Sequence, residues 1–327
     1  MRVFKKVLKW TGLLVGGILL LIIMAGLGLR ILGSKAQPPG DMVDVGGYKL
    51  HVKSVGVKND KPTLVIEAGA GAFSEYYYWI GEGLKDSMRV VRYDRAGIGY
   101  SELANSPRDP ETNARDLHAL LEASGEAPPY IIAGHSYGGH YARVFAKMYP
   151  EEVVGLAFLD APHPDEHERL NKSSDPSHMN TFYKIGAVFG DLGVLHLIDK
   201  TILDILIAPG LPEHVTNRFK DYSKSGKYLW GYIEEEEWHD ELIDMARSTK
   251  DFGDLPVRVF AGTKLNEDLL LKMGIDPDFI RTERKKMQEE VATISTDGEV
   301  FFMKGGHHFF LDKEEADVVC EEVLKML

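Results

Sequence analysis

Hydrophobic positions along the 327-residue chain fall into short runs of strand length separated by helical patterns. Residues 42–56 alternate between apolar and polar side chains around Gly46-Gly47, which predicts a β-hairpin. Apolar runs follow at 63–68, 89–94, 130–134, 154–161, 256–262 and 299–303. Apolar residues at helical spacing over 111–124 and 139–149 lie between some of these runs. Strands that alternate with helices predict a mostly parallel sheet with helices on both faces.

The alternation stops between His163 and Phe252, where amphipathic helical segments replace the strand signals. We expect this stretch to be a helical cap inserted into the sheet domain. The chain then divides into an N-terminal segment, a first part of the core, the cap and a second part of the core, at residues 1–36, 37–162, 163–252 and 253–327.

An uncharged apolar run extends from Trp10 to Leu29. Its length of about 30 Å as a helix matches the hydrocarbon core of a bilayer. Four basic side chains precede the run and two follow it, which favours a cytoplasmic N-terminus and a domain outside the cell membrane. The alternative is a secretory signal cleaved near Ser34-Lys35-Ala36, but its apolar region is typically only about 7 to 15 residues long. We therefore expect a retained single-pass anchor.

The charge of the chain is strongly acidic outside this segment. The whole sequence carries 38 basic and 50 acidic side chains, and six of the basic ones lie in the first 36 residues. Nucleic acid is therefore not an expected partner. The acidic run 234–237 predicts a solvated helix face. The single cysteine, Cys320, excludes an internal disulfide and is expected in the core.

Ser136 lies in a Gly-x-Ser-x-Gly pattern between the run 130–134 and a helical pattern. A serine at such a strand-to-helix turn is typical of a nucleophile elbow, where the helix N-terminus favours negative charge. A serine nucleophile needs a general base and an acid that orients the base. His307 and His308, in a Gly-Gly loop after the last strand, are the two candidate bases.

Beyond its anchor, the chain resembles the esterase-like serine hydrolases of the α/β-hydrolase superfamily. Four stretches carry this resemblance: "GHSYGGHYARVFAKMYPEEVVGLAFLDAPHP", "DRAGIGYS", "IEAGAGAF" and "GGHHFFLD". The resemblance implies an α/β-hydrolase fold and no cofactor. In the family's terminal motif the catalytic histidine follows a glycine and precedes an acid by five positions. That spacing selects His307, with Asp312, rather than His308.

The resemblance departs from the family pattern at the orienting acid. Most relatives place it after the strand equivalent to 256–262, where this chain has Leu265. Glu267 and Asp268 lie slightly further on, whereas Asp160 ends the run 154–161, where some members carry their acid. We predict that Asp160 is the acid, with Asp268 as the alternative.

The oxyanion loop also departs, because Glu67-Ala68-Gly69 replaces the common His-Gly. Backbone amides can still form the hole, and position in the motif assigns the donors to Ala70 and Tyr137. Glu67 is expected to be a structural partner of Arg95. The aromatic residues 76–79 either line an acyl pocket or pack under the cap.

Histidines beside the elbow, His135 and His140, lack the spacing of a metal site and are expected to be satisfied by hydrogen bonds. No catalytic metal is expected. The predicted function is a membrane-anchored serine hydrolase that acts on a small ester-like substrate. The alternative is a non-catalytic hydrolase-like protein that binds or senses a ligand.

Overall fold

The computed structural model describes residues 2–33, 37–170, 177–198 and 210–327. The candidate cleavage site at 34–36 lies outside the described residues, as do two parts of the predicted cap.

The described residues form one eight-stranded sheet with the order β1-β2-β4-β3-β5-β6-β7-β8. The hairpin strands β1 and β2 are antiparallel, β2 is antiparallel to β4, and all later neighbours pair in parallel. The sequence therefore predicted the hairpin and the mostly parallel sheet correctly. The strands are β1 (Asp41–Asp44), β2 (Lys49–Val55), β3 (Thr63–Glu67), β4 (Val90–Tyr93), β5 (Tyr130–His135), β6 (Val153–Leu159), β7 (Val257–Gly262) and β8 (Gly298–Met303).

Helices cover both faces of the sheet. Successive residues of a strand point to opposite faces, so Ile131 packs in the core beneath α2 and α12 while Ile132 packs in the core beneath α3 and α4. The described helices are α1 (Arg2–Leu32), α2 (Tyr78–Leu84), α3 (Pro110–Ala123), α4 (Gly138–Met148), α5 (Glu166–Arg169), α6 (Ser177–Asp191), α7 (Glu213–Lys224), α8 (Lys227–Glu236), α9 (His239–Ser248), α10 (Glu267–Lys272), α11 (Pro277–Ala292) and α12 (Lys313–Leu324). Short 3₁₀ turns occur at Ser74–Tyr77, Val194–Leu197 and Phe309–Leu311.

The described residues between β6 and β7 are mainly helical, from α5 to α9. The prediction of a solvated acidic face at 234–237 is wrong at Glu235, although Glu237 is exposed. Glu235 is buried and bonds to Arg95 at 2.6 Å and to the Gly71 amide at 2.8 Å, while Glu234 pairs with Arg108. The local sequence showed the run of acidic residues but not the buried arginine that pairs with Glu235. The pair between Glu235 and Arg95 connects the helical segment to the core.

Helix α1 has the length and the apolar composition of a membrane span or a signal anchor, and little of it is buried. Near its end it touches the helical segment. A Cβ on Gly26 would lie 2.7 Å from the backbone of Gly193, and Arg30 donates a hydrogen bond to the carbonyl of Asp191. The anchor-like helix therefore packs beside the turn that follows α6.

Candidate active site

The backbone at Ser136 is left-handed, with a φ of 52°. The Ser136 amide donates to Leu159 O on β6 at 3.2 Å, and the Gly139 amide donates to Ser136 O at 2.9 Å. A side chain at Gly134 or Gly138 would collide with backbone atoms across this turn. The two glycines therefore allow a sharp strand-to-helix turn that presents the serine at the carboxyl edge of the sheet.

Asp160 ends β6 beside this turn and is also left-handed, with a φ of 45°. Its buried carboxylate accepts hydrogen bonds from His307 Nδ1 at 2.7 Å, from the Gly262 amide at 2.8 Å and from Arg284 Nη2 at 2.8 and 2.9 Å. Burial alone would raise the pKa of Asp160, but the hydrogen bond from His307 and the charge of Arg284 outweigh it and hold the pKa well below its usual range. Asp160 is therefore ionised at neutral pH.

His307 lies in the Gly305-Gly306 loop, and its side chain is 42% exposed. The loop is held close to β7, since a Cβ on Gly262 would lie 2.6 Å from Gly306 O. His308 contacts no carboxylate among the described residues, and burial lowers its pKa to about 3. Of the two candidate bases, His307 is the one that meets Asp160.

The other acids considered from sequence are engaged elsewhere. Asp312 caps α12 by accepting from the amides of Glu314 and Glu315, and Glu267 pairs with Arg281 at 2.5 Å. Asp268 lies in the first turn of α10 and makes no contact with His307 within the described ranges. Leu265 occupies the usual acid position and packs against a small apolar cluster of Leu170, Ile280 and Met287.

Ala70 and Tyr137 lie beside the serine. A Cβ on the neighbouring Gly69 would be 3.2 Å from Ser136 Cβ, so this loop runs directly past the elbow. Within the part of the chain that the structure describes, neither the Ala70 nor the Tyr137 amide donates to another protein group. Both N–H donors are therefore free to meet a ligand oxygen.

A buried ion network holds the loop that carries Ala70. Arg95 bonds to Glu67 at 3.2 Å, which confirms the predicted pair, and also donates to Ala68 O at 2.6 Å and Gly69 O at 2.9 Å. Burial raises the pKa of Glu67, and the charge of Arg95 acts against that rise. Arg95 and Glu235 together fix the backbone of the loop.

His135 links the oxyanion loop to the histidine loop. The Gly69 amide donates to Tyr77 Oη at 3.0 Å, Tyr77 Oη lies 3.1 Å from His135 Nδ1, and His135 Nε2 lies 3.2 Å from His307 O. Because a carbonyl only accepts, Nε2 donates and Nδ1 accepts the tyrosine proton. Ligand atoms of His135, His307 and His308 lie within 4.8 Å of one another, as a metal site would require. Both ring nitrogens of His135 already make hydrogen bonds within the protein. We therefore assign the cluster a role in positioning the Gly305-Gly306 loop.

Two further sequence predictions have different outcomes. His140 is buried, and neither of its ring nitrogens has a hydrogen-bond partner in the part of the chain that the structure describes, so the expectation of a satisfied histidine is wrong there. Tyr76 and Tyr77 pack in the core, while Tyr78 and Trp79 lie partly buried at its margin. Sequence reasoning also missed Arg284, since nothing in the pattern of α11 indicated that it would reach Asp160.

A family model for the α/β hydrolase family matches residues 64–322. The chain belongs to the α/β-hydrolase family. An uncharacterized protein of Bacillus subtilis strain 168, YbdG, is 35% identical over 130 residues, which cover 39% of each chain. The match thus spans well under half the length of that curated relative.

Solved structures of α/β-hydrolase enzymes share the fold at low sequence identity. A probable hydrolytic enzyme of Pseudomonas aeruginosa PAO1 has a TM-score of 0.66 at 17% identity, and the match covers 90% of this chain and 96% of that one. A lipase described from Acinetobacter baumannii AYE has a TM-score of 0.59 at 18% identity, with coverage of 87% and 89%. These likenesses establish the hydrolase fold of the chain and leave its substrate open.

Proposed function

We propose that this protein is a membrane-anchored serine hydrolase that cleaves an ester-type bond through an acyl-enzyme. The observation that carries the proposal is the 2.7 Å hydrogen bond between His307 Nδ1 and the ionised Asp160, at the sheet edge where Ser136 turns. Such a bond leaves Nε2 of the imidazole without its proton and available as a base.

In the proposed reaction, His307 Nε2 takes the proton of Ser136 Oγ as Oγ bonds to the substrate carbonyl carbon. The carbonyl electron pair moves to oxygen, and the amides of Ala70 and Tyr137 donate to this oxyanion. Collapse expels the alcohol, which receives the proton from His307. Water, deprotonated by His307, then attacks the acyl carbon. The bond between this carbon and Ser136 Oγ breaks, a carboxylic acid is released, and His307 returns the proton to Ser136 Oγ.

The serine nucleophile favours acyl transfer within a fold that hosts several hydrolytic reactions. Relatives that open epoxides or break carbon–halogen bonds use an aspartate nucleophile. No described residue beside the elbow replaces Ser136 in that role, since Asp160 is already bonded to His307 and Arg284.

The location proposed for the enzyme is the cell membrane, with the hydrolase domain on the extracytoplasmic side. Gly26 precedes the end of the apolar run at Leu29 by three residues, about 4.5 Å along the helix. A group that touches Gly26 would therefore lie at the depth of the hydrocarbon boundary. The apolar side chains exposed near that contact are Phe182, Ile185, Val188, Phe189, Leu197 and Ile198, here called the α6 patch.

A fluorophosphonate probe tests the chemistry, because it captures only an activated serine. We expect the full chain in detergent to be labelled at Ser136, as located by peptide mass spectrometry, and expect no labelling of Ser136→Ala or of heat-denatured wild type. A folded wild type that remains unlabelled would favour the alternative, a non-catalytic protein that binds or senses a ligand.

Protease accessibility tests the topology. Protease added to intact cells should digest the domain beyond Pro38 and spare the first residues, whereas full protection of the domain would contradict the outward orientation.

A further inference from the structure

A cavity of about 230 Å³ lies behind Asp160, between the end of β7 and helix α11. This volume is below the roughly 300–1,000 Å³ of pockets for drug-sized ligands, so it suits a smaller molecule. Apolar side chains form much of its wall, including Leu265 and Phe302. Arg284 and Gln288 bring polar groups to the same wall.

Arg284 offers the cavity hydrogen-bond donors that the protein does not use. Its two bonds to Asp160 both come from Nη2, and no described acceptor meets Nε or Nη1. The side chain is 23% exposed, and the charges nearest to it are Asp160 and Glu166. A guanidinium with unused donors in a partly apolar cavity is suited to donate a charge-assisted hydrogen bond to a carboxylate.

Gln288 supplies the second polar group. Its Nε2 donates to Ala161 O at 2.8 Å, while its buried Oε1 meets no donor among the described residues, and the residue is only 2% exposed. An unpaired buried acceptor costs about 1–3 kcal/mol, which a ligand hydroxyl at this point would recover.

The rim of the cavity carries two cations, each of which has acidic neighbours. Lys285 Nζ lies 5.8 Å from the centre of the Phe302 ring and 3.7 Å from Glu289, and Arg281 pairs with Glu267 and Asp278. These pairs are exposed, and each stabilises the fold by only about 0–1 kcal/mol. An anion can therefore approach without breaking a strong ion pair.

We propose that this cavity is a binding site for a small organic carboxylate that has an apolar body and a hydroxyl group. The carboxylate bonds to Arg284, the apolar body packs on Leu265 and Phe302, and the hydroxyl donates to Gln288 Oε1. Neither the fold nor the family membership assigns a ligand here.

Occupancy would affect the active site through Arg284, an effect that rests on the proposed function. The ligand's negative charge offsets the charge that Arg284 presents to Asp160. The interaction between Asp160 and His307 then becomes stronger, so occupancy should change kcat/KM for ester hydrolysis at a fixed pH. Ester hydrolysis itself releases a carboxylic acid, so a product of suitable shape could act at this site.

Calorimetric titration of 3-phenyllactate into the full chain in detergent tests the site, because this probe has all three features. Two matched probes each lack one group: 3-phenylpropane-1,2-diol lacks the carboxylate, and 3-phenylpropanoate lacks the hydroxyl. We expect the diol to bind at least about tenfold more weakly and 3-phenylpropanoate to bind severalfold more weakly.

The protein variants separate the site from general surface charge. Arg284→Met should weaken phenyllactate binding at least about tenfold, Phe302→Ala should weaken it severalfold, and the exposed Lys272→Met should leave it unchanged. Phe302 is partly exposed, so its variant keeps the test valid if Arg284→Met fails to fold. Equal binding of acid and diol, or wild-type affinity in both cavity variants, would overturn the proposal.

The titration is repeated on Ser136→Ala, which cannot form an acyl-enzyme. If phenyllactate binds Ser136→Ala and the fluorophosphonate does not label wild type, the proposed binding site stands and the proposed hydrolase function is rejected. Labelling without binding would reject the site alone. If phenyllactate binds and kcat/KM of the wild type does not change at saturating phenyllactate, the link to His307 is wrong.

Discussion

Replacing Asp160 with asparagine should remove most of the ester turnover. The carboxylate accepts from His307, from the Gly262 amide and from Arg284, and an asparagine has only one oxygen for these donors. If that oxygen stays with Gly262 and Arg284, the amide NH₂ faces His307 Nδ1. The imidazole must then carry its proton on Nε2, toward Ser136, which is the wrong tautomer for a base.

The size of the loss follows from this tautomer argument. Loss of a triad acid typically lowers kcat by about 10⁴-fold, or about 5.4 kcal/mol of transition-state stabilisation. We expect at least about a 10²-fold loss for Asp160→Asn, and changes within about tenfold for the matched variants Glu267→Gln and Asp268→Asn. The readout is kcat for a nitrophenyl ester, normalised to the folded fraction.

A stability control separates catalysis from folding. In Asp160→Asn the largely buried Arg284 loses its counter-charge, which should lower the free energy of unfolding. The double variant Asp160→Asn/Arg284→Met removes this unpaired charge and should recover stability without recovering turnover. A large loss in Asp268→Asn with a nearly silent Asp160→Asn would place the acid after β7 and refute the reasoning.

Three further predictions concern other parts of the molecule. Burial holds His308 neutral in the folded protein, whereas the same side chain gains a proton below pH 6.5 in the unfolded chain, so the free energy of unfolding of wild type should fall between pH 6.5 and pH 4 by at most about 1.4 kcal/mol per pH unit. Denaturant titration at several pH values should show a smaller fall for His308→Phe. Glu235→Gln leaves Arg95 partly unpaired and should cost about 1–3 kcal/mol in the same titration, whereas the exposed Glu237→Gln should stay within about 0.5 kcal/mol of wild type. Phe189→Glu in the α6 patch should lower turnover of a vesicle-bound ester several-fold and leave turnover of a soluble ester unchanged, and equal effects on both would contradict contact between the patch and lipid.

Much of the fold could be predicted because strands and elbow leave local signals. The runs at 130–134 and 256–262 correspond to β5 and β7 within one residue, and helix 139–149 corresponds to α4 within one residue. The pairing of Asp160 with His307 follows the same logic, since the carboxyl ends of parallel strands share one edge of the sheet.

The features of the site that could not be predicted depend on long-range contacts, which leave no local sequence pattern. Arg284 lies 124 positions from Asp160, and Glu235 lies 140 positions from Arg95. Each charge is buried because a distant helix happens to cover it, and a single sequence gives the charge but not the covering helix. The unpaired ring of His140 escaped prediction for the same reason, because its surroundings come from several separate segments.

The position of Asp160 directly after β6 follows from how the strand ends hold one another. The Ser136 amide bonds to Leu159 O, the Asp160 amide bonds to Phe260 O at 2.7 Å, and the Thr263 amide bonds to Gly305 O at 2.9 Å. Each turn is thus fixed by the next strand or loop, which offsets the roughly 1–3 kcal/mol that a left-handed non-glycine residue costs. If Asp160 is the acid, as proposed, the loop after β7 needs no carboxylate at position 265. Leucine there packs against the apolar cluster that includes Ile280 and Met287 of α11, and α11 in turn carries Arg284 to Asp160 and forms a wall of the cavity.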